Sequence, residues 1–222
     1  MENKLNNVSI SGAGVVGSGE YDNVSGSGSV KINGNIKCKS FSCSGSAKAL
    51  GNIECAGKLK VSGAFKAEGT IKADELSCAG AAKCEKSLEA RILKISGAAS
   101  VGGDCSAEKA SFAGVIKING LLNAEEIEIT LDGRNNDSEI SSIGGSVVTV
   151  ESRSNMRLFK RINSYLNTDT IEADKVELEY TKAKVVRTID AIIGKGCRIE
   201  TLEYSGNAEI SNKASVKNLV KI

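Results

Sequence analysis

Apolar residues along the first half of the chain come in pairs, and a single residue, usually polar or small, separates the two members of each pair. A period of two is typical of a short β-strand with one buried face. Three such pairs follow one another before the pattern starts again, so each repeat predicts three short strands. In one repeat the pairs are Leu59 and Val61, Phe65 and Ala67, and Ile71 and Ala73.

Glycines recur at a nearly constant spacing, which marks the length of this repeat. Glycine suits bends that need a positive φ or a close approach of two backbones. The first series is Gly28, Gly45, Gly63, Gly80, Gly97 and Gly114, and the second, slightly later in each repeat, is Gly34, Gly51, Gly69, Gly103 and Gly120, with Lys86 in the missing place.

Stacking of these repeats predicts the fold, because three strands of this length cannot bury an apolar face alone. Stacked repeats would place like residues above one another, about 4.8 Å apart, in parallel sheets. The chain contains no proline, as expected where nearly every backbone N–H donates to the next coil. The fold class is therefore all-β, a parallel β-helix or β-solenoid with three short strands per coil.

The regular repeat is predicted to break once within a single β-helix domain that covers residues 1–222. N-terminal coils occupy 1–130, an excursion occupies 131–174, and C-terminal coils occupy 175–222. The register returns around Gly206, whereas that of the strand at Val176 and Leu178 stays open.

The excursion is expected to contain a hairpin and a short basic amphipathic helix. A turn is predicted at Arg134–Asp137, a strand at Val147–Val150, and the helix at Arg153–Leu166. Apolar residues recur at helical spacing in that last segment, with basic residues on the rest of its surface. The apolar residues are Met156, Phe159, Ile162 and Leu166.

Composition restricts the function. The 29 basic and 27 acidic residues give a net charge of only +2, so there is no global attraction to nucleic acid, and none is expected as a partner. Neither a signal peptide nor a membrane-spanning stretch is recognisable, which indicates a cytoplasmic protein, alternatively one that is peripheral at the inner face of the membrane.

Enzyme activity is not expected. The chain has no histidine, the commonest general base and metal ligand. No convergent pair of carboxylates can be placed, and the glycines follow the coil repeat and do not precede a helix as in a phosphate-binding loop. We therefore predict no catalytic, cofactor-binding or metal-binding residues, no cofactor and no small-molecule substrate.

The seven cysteines all fall at predicted inward positions. An odd number without export indicates reduced thiols. They are interpreted as small hydrophobic core residues, and the alternative is a metal or redox site. The cysteines are Cys38, Cys43, Cys55, Cys78, Cys84, Cys105 and Cys197.

Two basic surfaces are candidates for contact with a membrane or a partner. The first is an outward stripe, which is alternatively a solvated face neutralised by Glu68 and Glu85. The second lies on the predicted helix, which can lie at a membrane surface or alternatively pack on the solenoid. The stripe is Lys31, Lys48, Lys66, Lys83 and Lys117, and the helix residues are Arg153, Met156, Arg157, Phe159, Lys160 and Arg161.

The two ends of the solenoid are candidates for self-association. A terminal coil without a polar cap exposes apolar side chains and unpaired backbone groups. We expect the ends to join, with the alternative that the excursion folds over one of them. The residues expected at these ends, as inward positions, are Val8, Ile10, Leu202, Tyr204, Val220 and Ile222.

Several glycine- and serine-rich segments stand out: Ile10–Val16 (ISGAGVV), Gly19–Gly28 (GEYDNVSGSG) and repeated units such as Ser44-Gly45 followed by Gly51–Ile53 (GNI). Together they resemble the bactofilins, polymer-forming cytoskeletal proteins of bacteria. Three further segments are similar to the longer, Bacillota-type members: Tyr180–Arg187 (YTKAKVVR), Gly194–Cys197 (GKGC) and Glu203–Gly206 (EYSG).

This resemblance implies a right-handed β-helix that assembles through its ends into non-polar filaments without nucleotide. The expected function is a filament or scaffold that supports cell shape, the envelope or motility machinery. Its partners would be further copies of itself, a paralogue, a membrane surface, or envelope and motility proteins. The alternative is a β-helical binding module that does not polymerise and that docks on a membrane surface or an acidic protein.

Overall fold

The computed structural model describes residues 5–132, 136–153 and 164–222, and every regular element in these ranges is a β-strand. The neighbouring strands within them pair in parallel, which confirms the predicted all-β parallel β-solenoid. The strands are β1 (Asn6–Cys43), β2 (Ser46–Ala49), β3 (Ile53–Ala67), β4 (Ile71–Cys84), β5 (Leu88–Val101), β6 (Cys105–Leu131), β7 (Ser138–Ser152), β8 (Leu166–Leu178), β9 (Thr181–Ile193), β10 (Arg198–Tyr204), β11 (Ala208–Ile210) and β12 (Ser215–Lys221).

Contacts divide the chain into two compact units, Met1–Ala107 and Glu108–Ile222. Unit 1 contains β1 to β5 and the first residues of β6, and unit 2 contains the rest of β6 and β7 to β12. Several of the assigned strands run through more than one straight segment of a coil, because backbone pairing to the next coil continues around the corners. That both units form one domain stays a prediction.

The core of unit 1 is a stack of identical or similar side chains. Leu59 in β3, Leu76 in β4 and Leu93 in β5 are register partners, and each is completely buried. Exposed residues alternate with the buried ones along β3, as the period of two predicts. Two inward rings, Phe41 and Phe65, stack with their centroids 6.5 Å apart.

The first glycine series is required by the closeness of successive coils. Gly63 and Gly80 are register partners, and Gly80 has a φ of +134°. A Cβ atom at Gly80 would collide with the carbonyl oxygen of Gly63, and a Cβ atom at Gly97 would collide with the carbonyl oxygen of Gly80. Any other residue would therefore carry both a strained φ and a backbone clash.

Unit 2 continues the same architecture through most of the predicted excursion. Strand β7 pairs in parallel with β6 and with β8, and Ile127, Val148 and Val176 form one buried column. The prediction of an excursion with a hairpin was wrong for the described residues of 131–174, because they form coils with parallel pairing. The register of Val176 and Leu178 is settled by their partners in β9, Ala191 and Ile193.

Unequal repeat lengths explain this error. Ile118 pairs with Ile140, and Ile140 pairs in turn with Thr168. Both of these coils are longer than a regular one, such as the coil from Leu59 to its partner Leu76. Extra residues between the strands leave the inward alternation unchanged, but they remove the constant spacing by which the coils were found.

The predicted helix Arg153–Leu166 falls largely outside the described residues. Its apolar and basic residues Met156, Arg157, Phe159, Lys160, Arg161 and Ile162 all lie in the range 154–163, which the structure does not describe. At its C-terminal end the prediction was wrong, because Leu166 begins β8 and is completely buried in register with Ser138 and Thr181.

Candidate self-association surfaces

The first coil of unit 1 covers the second one but is itself only partly covered. Val8 and Ile10 are half-buried, whereas Val24 in the following coil is 1% exposed. Polar contacts hold the first coil in place, since Ser25 Oγ donates to the Val8 carbonyl over 3.4 Å. Val8 and Ile10 thus form the outermost apolar layer in the described part of unit 1.

The inward-facing side chains of the last coil of unit 2 are exposed to solvent. Leu219 in β12 lies in register on Leu202 in β10. Leu202 is completely buried, but Leu219 remains 52% exposed. Ile210 in β11, which lies on the buried Ile193, is likewise 39% exposed. The apolar column therefore reaches the surface at this coil.

Strand β12 also presents an open edge. It pairs in parallel with β10 over Ser215–Lys221, and no described strand pairs with its other side. A strand edge of this kind carries unpaired N–H and C=O groups that can add a further strand. Exposed apolar side chains and an open backbone edge thus occur together on the last coil.

The register corrects the predicted residues of this end. Val220 lies beside Glu203 in an outward column, and Leu219 occupies the inward position that was assigned to Val220. A slip of one residue moves every side chain of a strand to the opposite face. The regular spacing that leads from Leu59 to Leu76 also leads from Leu202 to Leu219, so the repeat itself could have found this residue.

The other predicted residues at this end differ in their accessibility. Leu202 lies beneath Leu219, so it has no exposed surface for a second molecule. Tyr204 is half-buried, and Lys221 Nζ lies 5.6 Å from its ring centroid. Ile222 is 73% exposed, and its N–H donates to the Tyr204 carbonyl over 2.9 Å.

The predicted lysine stripe exists in unit 1, but acidic residues neutralise much of it. Lys31 is in register with Lys48, and Lys48, Lys66 and Lys83 follow one another on the same face. Lys66 Nζ lies 3.0 Å from a carboxylate oxygen of Glu85. The hydrogen bond between them raises the pKa of Lys66 and lowers that of Glu85.

The remaining stripe contacts follow the same pattern. Glu68 lies 3.1 Å from Lys48, and Glu85 lies 3.8 Å from Lys83. In unit 2, Lys117 is register-paired with Glu139, with 3.6 Å between the charged atoms. These pairs resemble the solvated, neutralised face of the alternative interpretation more than a free cationic surface.

Of the predicted helix surface, the structure describes only Arg153, whose N–H donates to the Leu131 carbonyl over 3.1 Å. Met156, Arg157, Phe159, Lys160 and Arg161 lie outside the described residues. The proposed membrane or partner contact through these residues stays a prediction. In the described ranges, no helix has the length and apolar character needed to cross a bilayer.

All seven cysteines are buried free thiols at inward positions. Burial raises the pKa of Cys105 to about 12 and that of Cys197 to about 11. Burial also raises the pKa of Cys78 and Cys84. These four thiols are thus protonated at neutral pH, and they behave as the small hydrophobic residues that the sequence predicts.

A shallow groove of about 650 Å³ lies on one outward face of unit 2. Its three carboxylates each have a lysine nearby: Asp169 has Lys184 at 2.7 Å, Glu200 has Lys217 at 3.6 Å, and Glu139 has Lys117. Sequence reasoning missed this groove because the residues meet only through the unequal repeats of β7 and β8. Among the described residues, no group of three or more potential metal ligands comes together.

Comparisons with known proteins identify two relatives in Bacillus subtilis strain 168. The chain is 40% identical over 103 residues to "Uncharacterized protein YhbF", a match that covers 46% of this chain and 42% of the relative. It is 39% identical over 105 residues to "Uncharacterized protein YhbE", covering 46% of this chain and 44% of that relative. A comparison with protein-family models gives no match, and no solved structure gives a significant one.

Proposed function

We propose that this chain is a structural protein of the bactofilin type, which self-associates through its terminal coils into filaments or scaffolds without nucleotide. One observation carries the proposal: the last coil presents both a 52% exposed inward residue, Leu219, and the open edge of β12. The β-solenoid fold and the resemblance of the sequence support it.

A second copy is the occupant that fits this surface best. Two β12 strands related by a two-fold axis would pair antiparallel, with the same residues contributed by each copy. Such a joint adds backbone hydrogen bonds at the edge and covers Leu219 with its own counterpart. Joints between like ends produce filaments without polarity, as the resemblance implies.

The energy available at this joint is of the right order for reversible assembly. Full burial of a leucine side chain contributes about 1.5–3 kcal/mol, so covering the exposed half of Leu219 contributes about 1 kcal/mol per copy. Each strand hydrogen bond adds about 0.5–1.5 kcal/mol net. Alternate residues of the seven in β12 direct their N–H and C=O groups to the open edge, and their hydrogen bonds, with the burial of Leu219, offset the freedom that is lost on association.

The first coil supplies the second joint that a filament requires. Val8 and Ile10 are its partly exposed inward residues. In the cell, the resulting scaffold would act in the cytoplasm or at the inner face of the membrane, where it would support cell shape, the envelope or motility machinery. Its partners would be its own copies, a paralogue, or envelope and motility proteins.

Substitution at the exposed inward residue tests this proposal. Leu219→Lys would place one ammonium group of each copy in the joint, whereas Ile192→Lys is a matched control. Ile192 is an outward residue of β9, 37% exposed, in a column between Glu177 and Glu209. We expect wild type and Ile192→Lys to form large assemblies in sedimentation velocity, and Leu219→Lys to stop at small oligomers.

The first coil is tested in the same way. Val8→Lys alone should also yield small oligomers, and the combination of Val8→Lys with Leu219→Lys should yield monomers. Assemblies of unchanged size in the double variant would overturn the proposed joints. Circular dichroism of each variant shows whether the solenoid itself remains folded.

The geometry gives less support to a binding module that docks through the lysine stripe. Glu68 and Glu85 lie within ion-pair distance of Lys48, Lys66 and Lys83. An anionic surface would have to compete with these carboxylates for each lysine.

A further inference from the structure

Two of the seven cysteines face each other directly across neighbouring coils. Cys38 in β1 and Cys55 in β3 are register partners, between the partner pairs Ile36–Ile53 and Phe41–Leu59. Both side chains point inward, with 5% and 3% of their surface exposed. Adjacent parallel strands lie about 4.8 Å apart, which falls inside the Cα–Cα range of about 4.4–6.8 Å that disulfides span.

The two thiols also influence each other's ionisation, since their interaction raises the pKa of Cys38 and lowers that of Cys55. The Cys55 thiol donates to the Lys39 carbonyl over 3.7 Å at the adjoining corner. The register shifts at this corner, between Cys38 and Phe41 on one strand.

No other two cysteines in the described chain are register partners. Cys43 and Cys78 belong to one column, but Val61 separates them. Cys84 lies between Ala67 and Val101, and its thiol is within 3.4 Å of the Gly69 and Ser87 carbonyls. Cys197 is the single cysteine of unit 2, and its thiol donates to the Leu178 carbonyl over 3.1 Å.

We propose that Cys38 and Cys55 are a dithiol that hydrogen peroxide oxidises to a disulfide between two coils of unit 1. The Cys55 thiolate attacks one peroxide oxygen, the O–O bond breaks, and hydroxide leaves as Cys55 becomes a sulfenic acid. The Cys38 thiol loses its proton to that hydroxide, which forms water. The Cys38 sulfur then attacks Cys55 Sγ and expels a second hydroxide, which takes up the proton first released by Cys55. Two thiols and one peroxide thus become one disulfide and two waters.

The electrostatics of the pair assign these roles. The interaction with Cys38 lowers the pKa of Cys55 to about 7, against the opposing effect of burial. The same interaction raises the pKa of Cys38, and burial raises it further. Because the thiolate is the reactive form, Cys55 attacks the peroxide and Cys38 resolves the sulfenic acid.

The disulfide would fasten one coil of unit 1 to the next through a covalent bond in addition to the backbone ladder. It would prevent these two coils from separating during local opening. Oxidation would therefore stiffen this part of the chain without adding any surface contact, which sets it apart from the assembly proposed above.

Thiol counting and peptide mapping of the folded full chain test the proposal. The reduced protein, treated with dilute hydrogen peroxide at neutral pH, should fall from seven free thiols to five, since the disulfide consumes two. Trypsin cleavage after Lys37, Lys39, Lys48 and Lys58 places Cys38, Cys43 and Cys55 on separate peptides. Mass spectrometry without reduction should then find the peptide of residues 38–39 joined by a disulfide to the peptide of residues 49–58.

Two variants separate this pair from buried thiols in general. Cys78→Ser is the matched control, since Cys78 is also buried in unit 1, and it should lose the same two thiols. Cys38→Ala should form no disulfide and should keep all six remaining thiols, because Cys55 loses the interaction that lowers its pKa. Retention of all seven thiols in the folded wild type, or a linkage between any other pair, would overturn the proposal.

Discussion

Replacing Gly80 with alanine would place a Cβ atom against the carbonyl oxygen of Gly63 in the neighbouring coil. The new atom would also lie 3.0 Å from the Gly63 carbonyl carbon and 3.2 Å from its Cα. These neighbours are backbone atoms held by the parallel ladder, so no flexible side chain can yield. The φ of +134° at Gly80 is a second obstacle, because L-residues with a Cβ rarely adopt it.

The cost has two parts. A non-glycine residue held in a sparsely populated φ region costs about 1–3 kcal/mol. Separating the two coils far enough to relieve the clash weakens one or two backbone hydrogen bonds, at about 0.5–1.5 kcal/mol each. Gly80→Ala should therefore destabilise the protein by about 2–5 kcal/mol. For a chain of this size that corresponds to a fall in Tm of about 4–20 °C.

Gly17→Ala is the matched control for this substitution. Gly17 is also in unit 1 and is not at positive φ, and an added Cβ would meet only the Tyr21 hydroxyl oxygen at 3.9 Å, an ordinary contact. Urea and thermal unfolding followed by circular dichroism measure both variants against wild type. The steric account of the glycine series is refuted if Gly80→Ala is as stable as Gly17→Ala.

Two further predictions concern the core and the ion pairs of unit 1. Leu76→Ala removes a completely buried side chain between Leu59 and Leu93, and we expect about 2–5 kcal/mol of destabilisation in urea unfolding. Leu50→Ala should cost clearly less, because Leu50 is 38% exposed. Equal effects of the two substitutions would contradict the core assignment. The hydrogen bond from Arg91 lowers the pKa of Asp74 below its ordinary value of 3.8. The stability that this pair contributes is therefore fully present above pH 3.8. It is lost as the pH falls through the lower pKa that Asp74 has in the folded state. Asp74→Asn should remove this part of the acid dependence in unfolding measured between about pH 2 and 6, and an unchanged pH profile would show that the pair contributes nothing.

The fold could be predicted from the sequence wherever the repeat keeps a constant length. The positions of Leu59, Leu76 and Leu93 follow from one spacing, because each coil must place an inward residue directly above the last. The same spacing failed at β7 and β8, since extra residues between strands change the count without changing the inward face. Their alternation was visible, but the partners of Val148 and Val176 could be identified only from three-dimensional pairing.

The sequence predicted the type of each candidate surface better than the individual residues that form it. The uncovered last coil was expected, and the repeat contained the information to choose Leu219 instead of Val220. The sequence offered the neutralisation of Lys66 by Glu85 only as an alternative, because an ion pair between coils depends on the conformations of both side chains. Likewise, the register pairing of Cys38 and Cys55 follows from their shared column, but their effect on each other's pKa required coordinates.

Negative-stain electron microscopy of the purified wild-type chain, with no nucleotide added, tests the central claim of end-to-end assembly most directly. The grids should be prepared over a concentration series at low ionic strength and with reducing agent present, so that disulfides do not contribute. We predict filaments or ribbons that lengthen as the protein concentration rises. Uniform, isolated particles at every concentration would contradict the account.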